Sequence, residues 1–233
     1  MKETKNGNSE ANGLKIDRAT KTLRELAYDN VRQAIFDAHF PPGTRLIERS
    51  LCQDLDVSRT VVREVLRQLD AEGLVETIPH VGPIVATMDW DKAKQIYEVR
   101  GTLEAMAIRS CAKLASKDDI ALLETKFNTI SAAFDMDSPN SILNATTEFY
   151  NTLFLIGEKP FAWTVVQSLN ARISQLRAMT ITTPERHLSS ITEMKEIITA
   201  ISSGDIDAAE TASWKHVNAA AAVAEQLLNQ NSN

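Results

Sequence analysis

The 233-residue chain is 43% hydrophobic with a formal net charge of −6, apolar enough for one or two domain cores and too acidic to coat nucleic acid through a broad basic surface. Its polar N-terminus and the lack of any apolar run near the ~18 residues that span a bilayer speak against export and membrane insertion, so a cytoplasmic protein is expected. The first 88 residues hold 12 Lys/Arg and 13 Asp/Glu, the remainder 13 and 18, so any DNA contact has to be local.

Residues 1–20 have no apolar period and read as a flexible arm. From Lys21 to Phe40, the set Leu23, Leu26, Val31, Ile35 and Phe36 has helical spacing, and Pro41-Pro42-Gly43 stops it. A short helix over 48–55, a turn at Leu55-Asp56-Val57, and a third helix capped by Ser58 and running to Ala71 follow. Glu72-Gly73 ends that helix, and two β-branched runs, 74–78 and 83–87, flank a turn at 79–82 and predict a hairpin. Beyond Met88 only helical periods recur, across 89–114, 117–136, 141–156, 160–179, 185–203 and 205–230. Ser116 with Asp119 reads as a capping box, Pro139, Pro160 and Pro184 fall near helix starts, and Gly204 suits a helix end. The expected fold is mainly α: a three-helix winged unit over 21–88 and an antiparallel six-helix bundle over 89–233. Cys52 and Cys111 lack zinc-ligand neighbours and read as buried free thiols.

The third helix divides into two faces. Val62, Val65, Leu66 and Leu69 form one, while Arg59, Arg63 and Arg67 recur every four residues on another. Such a stripe on an isolated helix is ordinarily a solvated face paired with acids such as Glu64 and Asp70. Behind a Ser58 cap, however, Arg59, Thr60 and Arg63 suit a helix entering a major groove by its N-terminus, since arginine forks two hydrogen bonds to guanine or clamps phosphate.

The ordered segments Phe40-Pro41-Pro42-Gly43-Thr44-Arg45-Leu46, Val57-Ser58-Arg59-Thr60-Val61-Val62-Arg63-Glu64-Val65-Leu66 and Glu72-Gly73-Leu74-Val75 resemble the winged helix-turn-helix of the GntR superfamily. That resemblance implies double-stranded operator DNA as a partner, with contacts at Arg49, Ser58, Arg59, Thr60 and Arg63, and at the wing tip His80 and Gly82; Val81 departs from the commoner basic tip. The helical half resembles the FCD ligand-binding domain of the FadR subfamily, through Tyr97-Glu98-Val99-Arg100 with Leu103-Glu104 and, near the end, Ala200-Ile201, Gly204-Asp205 and Ala208-Ala209. Six helices place it nearer the VanR-like group and disfavour fatty-acyl ligands.

Many FCD domains hold a divalent metal on an Asp and three His. Here the aligned positions are Thr146, Tyr150, Met194 and His216, so the resemblance implies a pocket whose metal site is lost and no cofactor. Arg100, at the family's pocket-facing arginine position, is the expected anchor for a ligand carboxylate or phosphate, with Thr146, Tyr150, Met194 and His216 lining the pocket. Arg172 and Arg177 are about 140° apart on an ideal helix, so one at most should face inward, and Arg172 is taken as that one. Tyr150 and Met194 also suit ordinary bundle core.

No phosphate loop, His-Glu-x-x-His or Gly-x-Ser-x-Gly motif is present, so no enzyme is expected. The reading is a ligand-responsive transcriptional repressor acting as a homodimer. The alternative is a winged-helix adaptor that binds protein, with a collapsed, ligand-free helical domain.

Overall fold

The computed structural model describes residues 21–136, 138–181 and 183–230; the arm expected over 1–20 lies outside them. Helix α1, Leu23–Phe36, starts at a capping box: the Thr22 side chain accepts from the Glu25 backbone N–H, and the Glu25 carboxylate accepts from the Thr22 N–H at 2.7 Å. Its buried face is Ala27, Val31 and Ile35. Leu23 and Leu26, expected inside, are exposed because the cap starts the helix beyond the edge of the core. The helix also ends before Phe40: Asp37 caps it and Ala38 takes a positive φ of 55°.

Helices α2 (Glu48–Asp54) and α3 (Arg59–Ala71) follow, with Ser58 Oγ accepting from the Val61 N–H at 3.4 Å. The wing consists of β1 (Val75–Ile78) and β2 (Gly82–Val85), antiparallel with Val75 opposite Val85 and Ile78 opposite Gly82. The turn is therefore Pro79-His80-Val81, one residue shorter than expected. An isolated bridge between Arg45 and Ile84 ties the segment before α2 to the wing. Val62, Val65, Leu66 and Leu69 of α3 close this unit's core with Leu51, Leu74 and Val85, as the apolar stripe required.

The remaining elements are helical: α4 (Trp90–Leu114), α5 (Lys117–Asp135), α6 (Pro139–Ile156), α7 (Pro160–Ser168), α8 (Asn170–Ile181), α9 (Pro184–Ser203) and α10 (Ile206–Gln230). The Ser116–Asp119 capping box is formed, α6, α7 and α9 begin at their prolines, and Gly204 closes α9 at φ 70°. The bundle has seven described helices where six were expected, because the stretch read as 160–179 breaks at Leu169. No Pro or Gly marks that break, so the sequence did not announce it, and the helix count that favoured the VanR-like group is not what the structure has.

Helix α8 buries Ala171, Ile173, Ser174, Gln175, Leu176, Ala178 and Thr180. Ala171 belongs to the apolar cluster of the winged unit, whereas Ile173 and Leu176 belong to the bundle's. Being enclosed on all sides, α8 lacks the one-sided apolar stripe of a surface helix. Cys111 is buried as expected; Cys52 is only partly so. Among the described residues, no helix is long and apolar enough to cross a membrane.

Candidate nucleic-acid interface and effector cavity

The two halves of α3 perform different tasks. Its apolar residues anchor it, and this leaves Ser58, Arg59, Thr60 and Arg63 exposed at its N-terminal end. Arg63 is held: its Nε donates to both carboxylate oxygens of Glu48 on α2, at 3.0 Å each, and that carboxylate raises its pKa. The acids expected to quench the stripe do not take it, since Asp70 instead accepts from the Thr77 hydroxyl at 3.0 Å. Arg49, next to Glu48 on α2, is exposed. Solvent-exposed pairs such as Arg63–Glu48 are worth little in water, so a phosphate or guanine edge can displace the carboxylate while the guanidinium stays pre-placed.

At the wing, His80 is exposed with φ 65°, and Gly82 opens β2 with φ 98°. A Cβ at Gly82 would lie 4.0 Å from the Arg45 guanidinium. Arg45 thus brings to the wing the basic charge that its tip lacks at Val81. The Arg45 position was visible in the sequence, but its proximity to the wing depends on the bridge to Ile84.

In the bundle, Arg100 (α4), Thr146 (α6), Arg177 (α8), Arg186 and Met194 (α9) and His216 (α10) line a cavity of about 30 Å³. Four of the expected pocket residues, Arg100, Thr146, Met194 and His216, therefore converge. Tyr150 is fully buried beside them, with the guanidinium carbons of Arg100 and Arg177 5.8 and 5.1 Å from its ring centre. Arg172 does not join them. It points the other way, into a cleft between bundle and winged unit, where its Nε occupies the space 2.1 Å from a Cβ built on Gly73. Helical geometry did admit only one of the two arginines to the cavity, but that one is Arg177.

The cavity's electrostatics are set by partners that the sequence reading did not single out. Arg100 Nε donates to Glu104 Oε1 at 2.7 Å, both side chains being almost fully buried. Burial works against the Arg100 charge, but Glu104 outweighs it and raises the pKa. Arg186 Nη1 donates to Glu193 Oε2 at 2.7 Å, and the same oxygen lies 2.8 Å from His216 Nδ1. Burial pushes the Glu193 carboxyl up, yet hydrogen bonds from His216 and Arg186 more than offset it and leave it below the usual range. Burial lowers the His216 pKa despite the bond to Glu193. Thr146 spends its hydroxyl proton on the Ile142 carbonyl at 2.7 Å. Burial pushes Tyr150 up to about 12, against the pull of the neighbouring Arg100 and Arg177 charges. The Arg100–Glu104 pair had a sequence signal in its i,i+4 spacing; Arg186 and Glu193, seven apart and joined to His216 on another helix, had none.

The sequence profile of the "Bacterial regulatory proteins, gntR family" matches residues 23–85, and that of the "FCD domain" matches residues 95–219. The chain belongs to the GntR family of regulators with an FCD domain. As such a regulator it is a DNA-binding transcription factor with a helical effector-binding domain. It is 24% identical over 216 residues to the HTH-type transcriptional repressor RspR of Escherichia coli K12, covering 91% of this chain and 93% of that protein. With the uncharacterized HTH-type transcriptional regulator YdhC of Bacillus subtilis it shares 23% over 206 residues, covering 88% and 92%. The solved structure of E. coli McbR/YncC shares this GntR regulator's fold, with TM-score 0.72 at 19% identity over 92% of this chain and 100% of that one.

Proposed function

We propose that this GntR regulator is a cytoplasmic repressor that binds a pseudo-palindromic operator as a homodimer and is tuned by a small anionic metabolite in the bundle cavity. The observation that carries the DNA reading is α3 itself, with one face locked into the core while Arg59, Thr60 and Arg63 stand exposed behind the Ser58 cap. In this reading Arg59 and Arg63 read bases, Arg49, Ser58 and Thr60 hold the backbone, and His80 and Gly82 approach the minor groove with Arg45 behind them. The names of relatives such as RspR support repression as the outcome.

The donor set does not fit the divalent metal found in many FCD domains. The Arg186 guanidinium lies 3.3 Å from His216 Nδ1 and holds Glu193, so a dication would meet a fixed positive charge. Thr146, Tyr150 and Met194 supply no anionic ligand at neutral pH. No cofactor and no catalytic step are part of the proposal.

Fluorescence anisotropy of the purified protein on duplex DNA from its own promoter region, titrated with salt, tests the reading. An operator binder loses affinity linearly in log salt as counterions leave. An adaptor that docks on protein shows no saturable duplex binding at any salt, and that result would sink the proposal.

A further inference from the structure

Between the winged unit and the bundle lies a cleft of about 480 Å³, within the roughly 300–1,000 Å³ of small-molecule sites; the bundle cavity holds about 30 Å³. The apolar part of its lining includes Val75 of β1, Ile96 and Val99 of α4, and Leu169 at the α7–α8 break. The charges on its two walls are opposed: Asp70 and Glu76 come from the winged unit, Lys92 and Arg172 from the bundle. Two of the four are already engaged, since Asp70 accepts from the Thr77 hydroxyl at 3.0 Å and Lys92 lies 3.7 Å from Asp89. Glu76 and Arg172 are both half-buried, and among the described residues neither has an ion-pair partner or a side-chain hydrogen bond. The Arg172 guanidinium rests instead against Gly73, its Nε 2.1 Å from where a Cβ on that residue would stand. The cleft therefore keeps one unmatched anion and one unmatched cation on opposite walls, over a partly apolar lining. Charges held partly out of water gain most from a partner.

We propose that this cleft is a second ligand site, separate from the bundle cavity, and that it takes a free α-amino acid with an apolar side chain. The α-carboxylate matches the planar fork of Arg172 in two parallel hydrogen bonds, and the α-ammonium pairs with Glu76. The side chain covers Ile96, Val99 and Leu169 and removes their apolar surface from water. A simple anion leaves Glu76 unmatched and is repelled by it, and a simple cation meets the same problem at Arg172. A dipolar molecule satisfies both walls. Because Glu76 belongs to β1 and Arg172 to α8, a ligand that spans them fastens the winged unit to the bundle and stabilises the docked arrangement as its concentration rises. None of these residues lines the bundle cavity, so this site and the sensor reading above stand or fall separately.

Isothermal titration of the full-length protein at constant ionic strength tests this with L-leucine and L-phenylalanine, and with two leucine derivatives that each lack one charge. N-acetyl-leucine has lost the ammonium and leucinamide the carboxylate. At least one of the two amino acids is expected to bind saturably, with both derivatives at least ~10-fold weaker than leucine, the scale of one lost charge-assisted contact. Arg172→Gln and Glu76→Gln should each weaken the bound amino acid by a similar factor. Arg172→Lys and Glu76→Asp keep the charges and should restore part of the affinity, which guards against a loss caused by misfolding. Equal binding of either derivative overturns the proposal, because the molecule is then not held at both ends. Amino-acid binding that either Gln variant leaves unaltered places the molecule elsewhere and overturns it too, as does the failure of both amino acids to bind.

Discussion

Two side chains on the same exposed helix end are held differently. Arg63 is clasped by Glu48, whereas among the described residues no carboxylate pairs with Arg59. Both are expected to lose operator affinity by roughly 10- to 100-fold on substitution by alanine, the size of one lost bidentate base contact. Competition assays with single-base operator variants distinguish reading from anchoring: Arg63→Ala should flatten the preference at one position, and an unchanged preference would make it a phosphate contact. In the cavity, Glu193 and His216 both have lowered pKa values, and the sign is the same for each. A folded His216 that resists protonation contributes full stability above its unfolded value near 6.5, and that contribution falls as pH drops below it. Glu193 adds a second loss as pH falls from its unfolded value near 4.5 through its lower folded value. Urea titrations between pH 8 and pH 4 should show stability falling towards acid, and His216→Gln should remove the first part of that decline. The aligned positions of Thr146, Met194 and His216 were enough to find the cavity, and the i,i+4 spacing of Arg100 and Glu104 marked one of its acids, but Glu193 had no such signal, because its hydrogen bond to His216 crosses between helices.

Elements were read as well as their caps allowed. Ser58, the Ser116–Asp119 box, the three helix-starting prolines and Gly204 are local signals, and the helices that they bound lie close to where the sequence puts them. The α7–α8 break has no such signal, and α8, enclosed on every side, shows no preferred face from which to orient Arg172 and Arg177. Its docking onto the winged unit makes a checkable pair. Gly73 combines φ 73° with the Arg172 guanidinium in the space of its missing Cβ, so Gly73→Ala should cost ~1–2 kcal/mol in backbone strain plus the displacement of Arg172. Adding Arg172→Ala should return the second part, a non-additivity that a double-mutant cycle in urea measures; strict additivity would mean that the contact carries no energy. Glu104→Ala, by contrast, leaves Arg100 buried without a counter-charge and should destabilise the bundle by ~3–5 kcal/mol.

Across the whole molecule, two apolar cores meet at one helix. The resemblance visible in the ordered motifs of 40–75 foretold the winged unit and its partner, because its caps, turns and apolar stripe are local features of the chain. How the two units sit together was not foretold, since it depends on a glycine and an arginine a hundred residues apart. If ligand and operator are linked through this joint, each changes the other's affinity by the same factor; a saturating effector should shift operator affinity by as much as operator shifts effector affinity, and unequal factors would show that the two do not share one equilibrium. The seating of Arg172 on Gly73 also bears on engineering. The reading head cannot be transplanted by cutting at Met88 alone, because part of its underside is supplied by Ala171 and Arg172 far downstream. A functional hybrid with a foreign sensor has to bring a helix of matching relief, or its head will be joined to the new body by the polypeptide link and nothing else.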